Sequence, residues 1–492
     1  VTWCACICGY VCMSVIIVGC CALYVRGTFL RFLDIFYVTG YGVMSVGYYL
    51  MTTIFAYLNR SSVDKHAKSC IEAHPESFPC PSVSVHVVGY REDPEYFRKC
   101  LESVKNLSYP NMKAVIVVVD GNDSDDMYMA DLALETFGNR ATSVDLDFLP
   151  SESCQPIRSE LLVPQDTKSP PVFVVTQPHA GKREAIYTAY KISEYLDAAF
   201  FLSTDSDTTL DPRALDELVY MTMGDDDVDA VAGRLDIFNK TNWLTYLTAA
   251  RYFLAFNIER ASQGYHGVVG CISGPLGLYR VSAVRHIVDT WVQQTFMGRR
   301  CTFGDDRHMT NKLLSIGGKI LYTHRSFAET EAPAAYARFV AQQTRWSKSY
   351  WRELLIQSGW ATRHWYLLME TVYGVLFPVL ITVTLITVIF TRTWLSHGAI
   401  LIVTFTMPMI RCLIVFVFFD RNLLVFLGVF YPLMYFSTLL PVKFVALFTM
   451  GQNNWGTSSR KKIVNDFGPV IPVVVWIAVL LCGLLRHGIR GQ

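Results

Sequence analysis

The chain has 492 residues, a formal net charge of +1 and 52% hydrophobic residues, with a mean hydropathy of +0.28. That length exceeds one ordinary domain, the near-neutral charge excludes a basic nucleic-acid-binding protein, and the hydropathy excludes a wholly soluble one. Of the 14 cysteines, Cys4, Cys6, Cys8, Cys12, Cys20 and Cys21 stand in an apolar run and no C-x-x-C pair occurs, so no zinc site is expected and the other thiols read as reduced.

The apolar excess lies at the two ends. Residues 1–25 are apolar throughout and lack the basic start of a signal peptide, which predicts a spanning helix. A second apolar, aromatic run covers about 32–58, so 1–60 is assigned two transmembrane helices. Arg60, Lys65, His66 and Lys68 follow, and basic residues beside a membrane exit mark the cytosolic side. Residues 61–80 are read as a linker into a cytosolic insert, 81–332.

Within the insert, short apolar runs at 83–88, 113–119, 172–175, 198–202 and 230–233 alternate with helical stretches. This is the pattern of a mainly parallel, doubly wound α/β sheet; the Ser- and Pro-rich stretch 150–171 reads as a loop. Ligands of such sheets bind at the carboxyl edge. The first run ends in Gly89-Tyr90-Arg91-Glu92-Asp93 and the second in Val119-Asp120-Gly121, where Asp120 can bond a base or ribose and Tyr90 can stack. In Gln177-Pro178-His179-Ala180-Gly181-Lys182-Arg183-Glu184, a glycine opens a helix with two cations in its first turn. That arrangement opposes the helix dipole unless an anion is present, and a diphosphate fits. The run 198–202 stops at Ser203-Thr204-Asp205-Ser206-Asp207, and Asp211-Pro212 has the form of an N-cap and first position for a helix over 214–221. Asp-x-Asp recurs at Asp123/Asp125, Asp145/Asp147 and Asp225/Asp227, as solvated turns are apt to. Only Asp205/Asp207 follows a strongly apolar strand directly, and its hard oxygens suit Mg²⁺ or Mn²⁺ carrying a diphosphate.

Further on, the glycines from Gly270 to Gly277 let backbone approach a flat ligand. Phe303-Gly304-Asp305-Asp306-Arg307 supplies a second acidic pair before a helix at 308–314. A hydroxyl attacking a sugar must lose its proton, and Asp306 is the candidate base; the alternative is an N-cap. On a helix, Gln342 shares one face with Arg345 and Trp346, which joins an amide, a phosphate-gripping guanidinium and a flat indole platform. Phe339, Val340, Trp351, Leu354 and Leu355 beside Arg338, Lys348 and Arg352 suit a membrane interface, so 333–366 is read as an amphipathic interface helix region. Runs 367–390 and 399–419 are each long enough to cross. Pro432, Pro441 and Lys443 interrupt 422–450, a basic loop Trp455-Gly456-Thr457-Ser458-Ser459-Arg460 follows, and 470–485 is a further span.

The ordered series Asp120, Asp205-Ser206-Asp207, Gly304-Asp305-Asp306 and Gln342-x-x-Arg345-Trp346 resembles the processive, inverting glycosyltransferases that make cellulose, chitin and hyaluronan. The stretches GYREDP, QPHAGKRE, GPLGLYR, GDDRHMTN, QQTRWSKS and WGTSSR look most like the hyaluronan synthases of the eukaryotic and viral type. The resemblance covers roughly 81–462. It implies a GT-A catalytic domain joined to a membrane channel, with amphipathic interface helices between them. One chain, acting as a monomer in the plasma membrane, would polymerise UDP-GlcA and UDP-GlcNAc into hyaluronan and extrude it, with Mg²⁺ or Mn²⁺ as cofactor. By the same resemblance Tyr90, Glu92, Asp120 and Lys182 hold UDP, and Asp205 with Asp207 anchors the metal. Asp306, paired with Asp305, is the base. Trp346 is the acceptor platform, Gln342 and Arg345 lie near acceptor and diphosphate, and Cys271 with the Gly274 to Gly277 loop lines the acceptor end. Trp455 and Arg460 belong to a gating loop, 455–468, although Ser458 and Ser459 depart from the family's spacing. If that loop reaches a cytosolic site, an even number of crossings separates it from Trp346. Two spans then lie in 367–421, 422–454 lies along the interface, 469–492 crosses, and a further helix is expected beyond Gln492. A chitin synthase and a nucleotide-sensing transporter stand as rival readings.

Overall fold

The computed structural model describes residues 41–72, 80–153, 162, 169–357, 361–391, 394–453 and 467–490. The expected first span, most of the loop 150–171 and the gating-loop residues Trp455 and Arg460 lie outside the described residues.

The first described element, α1 (Tyr41–Glu72), runs unbroken through residues 61–72, which had been read as linker. Its polar turns dock on the α/β domain instead of bridging to it. Asn59 Nδ2 donates to the Tyr322 carbonyl at 3.3 Å, His66 Nε2 meets the Tyr220 carbonyl at 2.9 Å, and Asp64 Oδ1 meets His324 Nε2 at 3.2 Å.

The domain is built on strands β1 (Val83–Gly89), β2 (Met112–Val119), β3 (Ala141–Asp145), β4 (Val172–Thr176), β5 (Phe200–Asp205), β6 (Thr209–Leu210), β7 (Val228–Ile237), β8 (Gly277–Arg280) and β11 (Lys319–Thr330), while β9 (Thr295–Phe296) and β10 (Arg299–Arg300) form a separate hairpin. The nine-stranded sheet has the order β3-β4-β2-β1-β5-β8-β7-β11-β6. Neighbours from β3 to β5 are parallel, as are β7 and β11. β8 is antiparallel between β5 and β7, and β6 is an antiparallel edge. Central strands buried on both faces favour continuous apolar runs; β2 supplies one with valine and isoleucine, whereas β1 buries Ser84 and His86 among its valines and bonds both to Ser193 Oγ. The sheet reverses direction of growth at β1/β5, and the crevice beyond the carboxyl ends there is where ligands of such sheets bind.

Two local expectations change. β5 continues past Leu202 to Asp205, because Ser203, Thr204 and Asp205 stay paired with His86, Val87 and Val88 of β1. Arg213, not Asp211, caps the helix Ala214–Tyr220; Asp211 Oδ1 accepts from the Arg213 amide at 2.9 Å and closes a turn one step earlier. The antiparallel β8 was not anticipated, since four residues inside a glycine-rich stretch carry too little pattern to signal a strand.

Helices α2 (Pro94–Lys105), α3 (Met127–Phe137), α4 (Lys182–Tyr195) and α5 (Ala214–Tyr220) belong to the sheet domain. After β7, α6 (Trp243–Leu254) passes through a π turn (Ala255–Arg260) into α7 (Ala261–Tyr265). α8 (Asp305–Ser315) carries the second acidic pair, and α9 (Tyr336–Gln357) carries Gln342, Arg345 and Trp346. α10 (Trp365–Thr391), α11 (Trp394–Phe418) and the final α12 (Ile471–Arg490) are strongly apolar. Among the described residues, Trp365–Phe390, Leu401–Phe418, Leu423–Phe448 and Gly468–Arg486 are long and apolar enough to cross a membrane. The stretch Leu423–Phe448, within the segment 422–454 expected in the interface plane, is therefore also long enough to span. Its prolines do not break it: Pro432 and Pro441 stand in the first turns of Tyr431–Met434 and Leu440–Phe448, where an amide hydrogen is not needed.

Candidate active site

Three chain segments far apart in sequence meet at one ammonium. Asp205 ends β5, Lys182 is the first residue of α4, and Asp305 opens α8. Lys182 Nζ lies 2.6 Å from Asp205 Oδ1 and 3.5 Å from Asp305 Oδ2. The two cations that sequence placed against a helix dipole thus find partners within the protein. Arg183 turns inward to the Trp291 carbonyl at 3.1 Å and Gln294 Oε1 at 2.6 Å.

Burial pushes the Asp205 carboxyl up to about 6, with Lys182 opposing the rise and Asp207 adding to it. Burial also works against Asp305, but Lys182 and Arg183 hold its carboxyl below the usual range. Asp306 is raised, by burial first and then by the neighbouring Asp305 charge. Burial disfavours the Lys182 ammonium, yet Asp205 and Asp305 more than compensate and keep its pKa well above normal. Two adjacent carboxylates are thereby driven apart in acidity, the arrangement that separates a permanent charge from a proton acceptor.

Gly304, at φ 81°, caps α8 and lets the chain turn so that Asp305 and Asp306 fall in the first helical turn; Asp306 is not the N-cap. Asp306 Oδ2 lies 3.6 Å from Cys271 Sγ. Thr310 Oγ1 donates to the Asp306 carbonyl at 2.8 Å and accepts from the Ile272 amide at 2.9 Å, which ties the Cys271 loop to α8. Gly274 passes directly over the ion pair: a methyl there would lie 3.1 Å from Lys182 Nζ and 3.3 Å from Asp205 Oδ1. Gly277 is different. It begins β8, buried against Ile272, where a methyl would lie 2.5 Å from Cγ2, so it serves strand packing and does not line the cavity.

At the outer end, the Asp120 carboxylate accepts from the Gly181 amide at 2.8 Å, the Ala180 amide at 3.1 Å and Gln177 Nε2 at 3.2 Å. It builds the loop that presents Lys182. His179 Nδ1 sits 2.8 Å from Asp120 Oδ2, and that hydrogen bond raises its pKa against partial burial. The His179 ring stacks on Tyr90 with centroids 4.0 Å apart. Sequence reasoning had not singled out His179, although it stands in the same stretch as Lys182. Glu92 Oε2 accepts from Ser206 Oγ at 3.2 Å and so steadies the turn between Asp205 and Asp207.

A cavity of 1280 Å³ joins these parts. It runs from Tyr90, Glu92 and Asp120 past Lys182, Asp205, Asp207, Asp305 and Asp306, over Cys271, Gly274, Gln342, Arg345 and Trp346, and on to Phe377, Pro408 and Lys443 among the apolar helices. Trp346 is 43% exposed, and burial beside Arg338 brings the Arg345 guanidinium down to about 10. Deeper in, Arg251 pairs with Glu259 at 2.8 Å and Arg411 approaches the same carboxylate at 3.7 Å. Sequence reading missed this trio; its signal was Arg251 and Arg411, each a single charge inside an otherwise apolar helix. Among the described residues no group of three or more His, Cys, Asp or Glu side chains forms a closed metal cage. A metal held by Asp205 and Asp207 would complete its shell with ligand and water oxygens, as Mg²⁺ commonly does.

The family model described as glycosyltransferase like family 2 matches residues 167–349. Hyaluronan synthase 3 of Xenopus laevis is 39% identical over 416 residues, covering 82% of this chain and 74% of that protein. Hyaluronan synthase 2 of Mus musculus is 36% identical over 482 residues, covering 96% and 86%. A mannosyltransferase from Pyrobaculum calidifontis, solved with GDP-Man and Mn²⁺, aligns with 85% of this chain and 99% of its own at 13% identity and a TM-score of 0.47. At 36–39% identity to hyaluronan synthases over most of its length, with a mainly parallel sheet opening toward apolar helices, the chain belongs to the hyaluronan synthases, a family of membrane glycosyltransferases.

Proposed function

We propose that this enzyme polymerises hyaluronan by adding sugars alternately from UDP-GlcA and UDP-GlcNAc, and passes the product outward between its apolar helices. The observation that carries the reading is the single cavity that links the Lys182–Asp205–Asp305 cluster and Asp306 to the space among those helices. Tyr90, backed by His179, stacks on the base; Asp120 and Glu92 hold the loops around it. Asp205 and Asp207 hold Mg²⁺ or Mn²⁺, which when bound neutralises charge on the leaving diphosphate. Lys182 and Arg345 meet the phosphate oxygens. Gln342 and Trp346 seat the acceptor sugar, with Cys271 and Gly274 beside its end. Asp306 takes the proton of the attacking hydroxyl while Asp305 stays ionised beside Lys182. Attack opposite the departing UDP turns an α-linked donor into a β-linkage. The basic residues after 58 support a cytosolic catalytic domain, and the working unit in this reading is a monomer in the plasma membrane.

The test is incubation of purified full-length chain with each UDP-sugar singly and with both, in Mg²⁺ or Mn²⁺. Hyaluronidase-sensitive polymer that requires both donors and the metal is expected. Polymer from UDP-GlcNAc alone indicates a chitin synthase, and absence of UDP release indicates a nucleotide sensor; either defeats the proposal.

A further inference from the structure

Among the buried carboxylates that the reaction chemistry does not use, Glu353 is the one tied to the elements of the site. Glu353, on α9, is 3% exposed. Its oxygens accept from Gln294 Nε2 at 2.7 Å, Asn311 Nδ2 at 2.6 Å and His308 Nδ1 at 3.0 Å. Burial opposes its charge, but His308, Asn311 and Gln294 bring its pKa down to about 2, whereas burial lowers His308, which donates as a neutral imidazole. The network reaches further. Gln294 Oε1 accepts from Arg183 at 2.6 Å, Arg183 also meets the Trp291 carbonyl at 3.1 Å, and the Trp291 indole donates to the Asp305 carbonyl at 3.0 Å.

This buried set connects three elements that carry the proposed chemistry. Arg183 adjoins Lys182 on α4, His308 and Asn311 follow Asp305 and Asp306 on α8, and Glu353 stands two turns beyond Trp346 on one face of α9. A buried charge bonded to several donors is seldom the most stabilising filling for an interior, where apolar packing often does as well. What it supplies is geometry, because three donors from two other segments fix it in both distance and rotation.

We infer that Glu353 is a positioning residue for sugar transfer, holding the helix of the proton acceptor in register with the helix of the acceptor platform. This rests on the proposed roles of Asp306 and Trp346. Loosening the register leaves donor binding intact but misaligns the acceptor hydroxyl, so water takes a larger share of the activated sugar.

The experiment measures UDP released per sugar incorporated, a ratio independent of how much enzyme is folded, alongside kcat per UDP-binding site and KM for both donors. Glu353→Gln keeps the size but cannot accept all three donors. Its kcat should fall about 10- to 100-fold, with KM little changed and the ratio raised. Asn311→Ala, which removes one donor, should move the ratio the same way by less and decides the matter if Glu353→Gln does not fold. The swap Glu353→Gln with Asn311→Asp returns a carboxylate to the cluster and should restore the ratio. A wild-type ratio in Glu353→Gln or Asn311→Ala, with activity lost only in proportion to UDP-binding sites, overturns the inference. Failure of the wild-type chain to incorporate sugar from both donors would instead overturn the functional reading beneath it.

Discussion

Gly304→Ala tests whether the spacing between α8 and α9 sets the rate. Gly304 holds φ 81°, ψ 32°, a left-handed conformation that costs a residue with a Cβ about 1–2 kcal/mol. The added methyl would lie 2.7 Å from Ser349 Cβ, and closer to Ser349 Oγ. Rotating the hydroxyl relieves only the second contact. Carbon atoms rest at about 3.5–4.0 Å, so one helix must retreat by about 1 Å, and a misplacement of that size costs about 10²-fold in rate, or about 2.7 kcal/mol of barrier. Ser349→Gly removes the obstacle, since the nearest remaining atom of residue 349 is its Cα at 3.7 Å. The assay is initial sugar incorporation per UDP-binding site, with thermal unfolding in parallel. Gly304→Ala should lose about 10²-fold in kcat while binding UDP. The double variant should recover the rate but keep the destabilisation from the left-handed backbone. Full activity in Gly304→Ala, or no recovery in the double variant, refutes the argument that this contact sets the separation.

Asp306→Asn should lower kcat by about 10²- to 10⁴-fold, the usual worth of a general base, with UDP binding retained in a calorimetric titration; near-normal synthesis removes Asp306 from that role. Trp346→Ala should weaken acceptor engagement, seen as slower initiation and shorter chains on a sizing gel; unchanged initiation and length contradict the platform. The pH profile follows from the raised Asp306 pKa. The base acts only when ionised, so kcat falls as pH drops through that raised value, and the acid limb lies above the ordinary carboxylate range. Asp305→Asn removes the like charge and should move the limb to lower pH; a limb that stays in place assigns it to another group.

Most of the catalytic edge could be read from the chain because strand ends announce themselves. An apolar run that breaks into Asp-Ser-Asp, or into Gly-Tyr-Arg-Glu, marks a sheet rim whatever the exact strand boundary, and Asp205 and Tyr90 were found in this way, whereas Lys182 and Asp305 were found at helix starts and Trp346 on a helix face. Three kinds of feature were not legible. The antiparallel β8 pairs across long sequence separations, with Ser203 and Ala232 on either side of Gly277, and no local pattern encodes that. The polar half of α1 resembles a linker because its burial is supplied by Tyr220 and Tyr322, far along the chain. The roles of Asp120 and Arg183 depend on which neighbour each side chain turns toward. Asp120 proved to be occupied by the amides of the Lys182 loop, and Arg183 points into the interior instead of toward the cavity. Spacing gives residue types at an edge; only packing decides which of them face the cavity.

The same reasoning explains why the acidic pair and the Gln/Arg/Trp face belong to one device, although Asp306 and Trp346 are 40 positions apart. Along α9, Trp346, Ser349 and Glu353 follow one another at helical spacing on one side. Trp346 looks into the cavity, Ser349 abuts the glycine that starts α8, and Glu353 grips His308 and Asn311 further along α8. The proposed platform and the proposed proton acceptor are therefore two sides of a single helix–helix contact. Its tolerance is set by one glycine, one small hydroxyl and one buried carboxylate. Changes on that side of α9 should alter how accurately sugar is transferred, whereas changes to the half-buried Lys348, which does not line the cavity, should alter how the helix sits against lipid. If Lys348→Gln raised the ratio of UDP released to sugar incorporated as much as Glu353→Gln, the division of α9 into a registering side and an anchoring side would fail.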